Sequence, residues 1–132
     1  MIVEVAAAFV LTSPAFHSGG TIPKRYTCDG ANVSPALRWT APPRRTASFS
    51  LTVFDPDAPG GGFLHWQINH LPATTRGLPT GSRLGGANQT GSSGYTGPCP
   101  PTGVHHYRFT LRALAKSGKV LAVARLVGLY GR

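Results

Sequence analysis

Glycine and proline punctuate this chain so densely, 17 and 12 times in 132 residues, that long helices have little room and short strands joined by turns are the elements that fit. The hydrophobic share of 41% is nevertheless that of a globular protein. A chain of this length makes one domain, here residues 1–132, able to bury roughly two-thirds of its unfolded surface without a metal or disulfide staple. A β-rich domain is the first expectation.

Strand-like alternation or β-rich composition marks Phe9–Thr12, Leu37–Thr40, Ser48–Phe54, Phe63–Leu71 and His105–Leu114, separated by the turn-forming stretches SGG, APPRR, PDAPGGG and GSRLGG. That spacing predicts antiparallel sheets with long loops. The tail reads differently: Val120, Val123, Val127 and Tyr130 recur at intervals of three, four and three, the helical period. An amphipathic helix from about Lys119 to about Val127 is expected, ended by Gly128.

Thirteen Lys and Arg against four acids give a net charge of +9, which favours encounter with anionic ligands or anionic membrane surfaces. The charges are scattered in ones and twos, with no basic run or helix face, so specific nucleic-acid binding is not expected. Cys28 and Cys99 are the only cysteines. They form no CxxC motif and no disulfide framework, and two free thiols in a reducing compartment are expected. The opening MIVEVAAAFVLTSPAF lacks a basic leader, and no segment reaches transmembrane length. A soluble cytoplasmic protein is the expectation.

The chemistry concentrates in a few places. Asp55 and Asp57, two of the four acidic residues, follow the strand SFSLTVF within the loop DPDAP. Its prolines make that loop stiff enough to hold a carboxylate at a set angle, and Ala58–Pro59 is a candidate cis bond. In FLHWQINHL the period of two sets His65, Gln67 and Asn69 on the more polar face, opposite Leu64, Trp66 and Ile68. In HHYRFTLRAL it sets His105, Tyr107, Phe109 and Leu111 inward, while His106 faces water. His105 is therefore the functional histidine of the pair.

Four ordered stretches, IPKRYTCDGANVSPALRW, DPDAPGGGFLHW, GYTGPCPPTGVHHYRF and ARLVGLYGR, resemble the phosphatidylethanolamine-binding protein family in its bacterial and archaeal, Raf-kinase-inhibitor-like branch. The likeness runs from about Phe9 to Arg132. It implies a β-sandwich of antiparallel sheets with a C-terminal helix, and a non-enzymatic pocket for phosphate or phosphoethanolamine-type head groups, with no cofactor. By motif match, Asp55, Asp57, His65, Gly97, Pro98, Pro101, His105 and Tyr107 would bind the ligand. Two imidazoles, a tyrosine hydroxyl and turn N–H groups would donate to the anion, with Asp55 fixing a tautomer or meeting an ammonium. Relatives that inhibit kinases or proteases imply a protein partner as the alternative role, and bacterial-type relatives often pair as homodimers. Where the family carries a longer segment after the HHY strand, this chain has only AKSG between Leu114 and Lys119, and His106 stands where many relatives have Arg.

Two rival readings of the same residues are weaker. No GxSxG, HExxH or Walker motif is present, so an enzyme would need a triad of Asp55, His65 or His105 with Ser92, Ser93 or Cys99. A zinc site from His65, His105, Cys99 and Asp55 has suitable ligand types without supporting spacing.

Overall fold

The protein is described by a computed structural model over residues 8–132. The described residues form seven strands: β1 (Leu11–Thr12), β2 (Leu37–Trp39), β3 (Ser48–Asp55), β4 (Phe63–Pro72), β5 (Gly77–Leu78), β6 (Val104–Leu114) and β7 (Val120–Gly131). They form an antiparallel four-stranded sheet in the order β4-β3-β6-β7 and a three-stranded sheet in the order β1-β2-β5. The helical content of the described residues is one 3-10 turn, Lys24–Tyr26, and none of their helices is long and apolar enough to cross a membrane.

Alternation explains the layering. Phe49, Leu51 and Val53 of β3 and Phe109, Leu111 and Ala113 of β6 point to one face and are buried, as do Ala124 and Leu126 of β7. Leu37 and Trp39 from β2, Leu78 from β5, and Phe16 and Ile22 from the intervening loops pack into the same core. Trp39 meets Phe49 edge-on with ring centroids 5.6 Å apart. Burying each such aromatic contributes about 1.5–3 kcal/mol.

The expected C-terminal helix is a strand. β7 pairs with β6 along its whole length through a turn in which Gly118 N–H donates to Ala115 O and Ala115 N–H to Lys119 O, both at 2.8 Å. The three-four-three spacing of Val120, Val123, Val127 and Tyr130 is coincidental: the buried set is Ala124, Leu126 and Gly128, alternating by two. Two of those three are small, so their inward period escapes a reading based on large apolar residues. Gly128 does not end a helix. A Cβ there would lie 2.4 Å from Ile22 Cγ1 and 2.9 Å from Phe16 Cε2, so it is the point where the core presses on the strand.

The Ala58–Pro59 bond is trans, as are all the described peptide bonds. The chain reverses between β3 and β4 through Gly60, Gly61 and Gly62, whose φ values of 79°, 93° and 116° are open to glycine and strained for other residues. Backbone freedom does here what a cis proline was expected to do.

Candidate functional site

β3 and β6 lie side by side, so the last inward residue of β3, Asp55, comes beside the first inward residue of β6, His105. The His105 Nδ1–H donates to Asp55 Oδ2 at 2.6 Å, and both side chains are buried. Asp55 Oδ1 accepts the backbone N–H of Asp57 at 2.8 Å, closing the DPDAP turn on its own carboxylate. The other nitrogen of His105 faces the Thr102 carbonyl at 3.1 Å. Both ring nitrogens are thus engaged by groups of the protein itself.

His65 reaches the same place by an irregularity in β4. Val53 pairs with Trp66 and Phe54 with Leu64, so His65 is the extra residue of a β-bulge. This overturns the expectation that His65 and Trp66 occupy opposite faces: the bulge turns both inward, to 5% and 0% exposure. Trp66 joins the core, its Nε1–H donating to Leu84 O at 2.8 Å. His65 donates Nδ1–H to Thr96 O at 2.8 Å, which leaves Nε2 without a partner among the described residues. Its ring stands edge-on to Tyr107 at 5.2 Å.

These groups line a cavity of about 210 Å³ completed by Ala58, Pro59, Phe63, Thr90, Thr96, Gly97, Cys99, Pro100 and Pro101. That is below the roughly 300–1,000 Å³ of drug-sized ligand sites and suits a small, head-group-sized ligand. The lining mixes apolar side chains, Ala58, Pro59, Phe63, Pro100 and Pro101, with the polar groups of Asp55, His65, His105 and Tyr107. The hydroxyl of Tyr107, a residue only 1% exposed, finds no hydrogen-bond partner among the described residues. Leaving a buried hydroxyl unpaired costs about 1–3 kcal/mol.

Six of the eight residues expected here therefore line one cavity: Asp55, His65, Gly97, Pro101, His105 and Tyr107. Asp57 and Pro98 do not. Asp57 lies outside and accepts from His106, from its backbone N–H at 2.8 Å and from Nδ1 at 2.7 Å, and these bonds lower its pKa. The Pro98 carbonyl accepts the Cys28 N–H at 3.1 Å. The Gly97 N–H, expected to be available to an anion, donates instead to Asn32 Oδ1 at 2.7 Å. Phe63 was legible as the residue two before His65, whereas nothing in the sequence marked Thr90.

The free thiols give way to a Cys28–Cys99 disulfide that closes a loop of 71 positions. Arg132 sits against it, donating to Pro100 O at 2.7 Å and pairing with Asp29. The bond removes Cys99 from the proposed triad and from the proposed zinc site. Ser92 and Ser93 do not line the cavity, and no cluster of three metal-ligating side chains occurs among the described residues.

Burial pushes the pKa of His65 down, and the Thr96 carbonyl only partly opposes this. Burial, with the charge of Asp55 adding to it, pushes Tyr107 up, so its hydroxyl stays protonated. The unfolded chain protonates His65 near pH 6.5 and the folded chain only lower, so the unfolded state binds more protons in between. Stability is expected to fall as pH drops from about 7 towards 5, and His65→Gln to flatten that slope in urea midpoints taken across the range. Asp29 and Asp57, whose pKa values are lowered from 3.8, act only in more acidic solution. An equal slope in both proteins would remove His65 from the account.

A family model described as phosphatidylethanolamine-binding protein matches residues 12–129. The chain belongs to the phosphatidylethanolamine-binding protein family. A UPF0098 protein of Methanothermobacter thermautotrophicus is 42% identical over 148 aligned positions, covering 92% of this chain and 98% of that one. Two solved structures share the fold. A putative phosphatidylethanolamine-binding protein homologue, CT736 of Chlamydia trachomatis, has a TM-score of 0.89 at 34% identity, over 96% of this chain and 99% of that one. YbcL of Escherichia coli, described as a new member of the mammalian PEBP family, has a TM-score of 0.86 at 32% identity, over 96% of this chain and 99% of that one. Membership in the phosphatidylethanolamine-binding protein family assigns the chain a ligand-binding or regulatory role in general terms.

Proposed function

We propose that the Asp55–His65–His105–Tyr107 cavity binds a small phosphorylated or otherwise anionic ligand, of the phosphate or phosphoethanolamine type, without turning it over. The observation that carries this reading is the Tyr107 hydroxyl, buried on the cavity wall with no acceptor among the described residues. A phosphate oxygen would satisfy it once a small shift of the wall uncovers the hydroxyl. His65 Nε2 borders the same space and donates once protonated, so binding strengthens as pH falls through and below the ordinary imidazole range. Asp55 and His105 hold each other, and act by fixing the floor of the site rather than by proton transfer. Of the nucleophiles a triad would need, Ser92 and Ser93 lie outside the lining and Cys99 is bonded to Cys28, which supports a binder over a hydrolase. The Cys28–Cys99 bond supports action in an oxidising compartment rather than the cytoplasm.

Tyr107→Phe separates binding from folding. Removing the unpaired hydroxyl is expected to leave the apo protein as stable or stabilise it by about 1 kcal/mol, while weakening phosphoethanolamine about tenfold or more by calorimetry. Unchanged affinity would take the hydroxyl, and with it this reading, out of the site.

A further inference from the structure

We infer that the outer face of the four-stranded sheet carries a second site, for a phosphate-type dianion attached to an apolar group. It lies on the opposite face of the sheet from the cavity described above and does not depend on that cavity's role. β6 sends Arg108, Thr110 and Arg112 outward, and β7 sends Arg125 outward directly across from Thr110. Arg108 and Arg112 are thus the two diagonal neighbours of Arg125, about 7–8 Å away in backbone terms.

Three guanidiniums on so small a patch repel one another unless an anion lies between them. None is supplied by the described residues. Asp29, Asp55 and Asp57 are engaged with Arg132, His105 and His106, and no ion pair includes Arg108, Arg112 or Arg125. The polar contact made by the trio is Arg112 Nη1–H to Thr52 Oγ1, at a long 3.4 Å.

A cavity of about 290 Å³ lies between these residues, walled by the three arginines with Thr52 and Thr110 and, on one side, by Phe54 and Leu64. Guanidinium forks match phosphate oxygens in pairs, and threonine hydroxyls donate to a third. Phe54 and Leu64 give the ligand's other end an apolar wall. A phosphate monoester with a hydrophobic substituent meets both requirements, whether free in solution or as the head group of an acidic lipid. A second copy of this chain does not, since its matching face brings arginine against arginine.

The test follows backbone amide signals of the full chain during titration with inorganic phosphate and phenyl phosphate, and measures sedimentation with phosphatidylcholine vesicles lacking or containing phosphatidic acid. Saturable shifts at Arg108, Arg112, Arg125 and Val127 are expected, tighter for phenyl phosphate than for inorganic phosphate. Arg125→Gln should weaken them about tenfold, the worth of one charge-assisted contact, and Arg125→Lys much less. Signals from Gly97 and His105 should keep their midpoints in both variants. Saturation by the soluble esters identifies a free ligand, and saturation only on phosphatidic-acid vesicles a lipid head group. Linear, unsaturated shifts with no vesicle binding, or shifts indifferent to Arg125→Gln, would overturn the site.

Discussion

Asp55→Ala is expected to cost about 1–3 kcal/mol of folding stability through the His105 contact alone, since it leaves a buried ring N–H without its acceptor. It also removes the acceptor of the Asp57 N–H, opening the DPDAP turn. The two losses can be told apart. Asp55→Asn keeps an oxygen for the turn and weakens only the hydrogen bond to His105, so it should fall between wild type and Ala in a denaturant titration. The double replacement Asp55→Ala with His105→Ala should recover part of the loss, because no orphaned imidazole remains. Strict additivity of the two single costs would mean that the 2.6 Å contact contributes nothing to the fold.

Breaking the disulfide is the second large effect. Cross-linking positions 71 apart removes loop entropy from the unfolded chain worth about 4 kcal/mol, and Cys28→Ser with Cys99→Ser should lower the melting temperature by on the order of ten degrees. The site should suffer as well. Cys99 borders the cavity between Gly97 and the Pro100–Pro101 pair, so freeing it relaxes one rim. Affinity for phosphate is expected to fall in the double variant even far below its melting temperature. A variant that melts earlier yet binds as wild type would confine the bond to a role in stability.

The parts legible in the sequence were those whose physics is local. Alternation placed β3, β4 and β6 within a residue or two of their observed ends, and the inward set of β6 from His105 to Leu111 followed from it directly. The pocket residues followed from family likeness, which located Asp55, His65, His105 and Tyr107 but not their bonds. What escaped depends on distant chain. Small inward residues, Ala124 and Gly128, hid the period of β7 because Ile22 and Phe16 fill the space from elsewhere. The two-residue strand β5 has no periodicity to read. The Cys28–Cys99 pairing joins two loops, with the Cys28 N–H on the Pro98 carbonyl beside it, a contact no spacing encodes. The bulge at His65 is invisible because it shows only in the mismatch of two strands.

That bulge makes the length of β4 a determinant of the site in its own right. A strand in strict alternation can give the interior one of two adjacent side chains; with one surplus residue it gives both, an indole to the core and an imidazole to the cavity. Shortening β4 there by a single residue would restore regular pleating and force a choice between them, although no residue type would have changed. In this strand, counting residues matters as much as naming them.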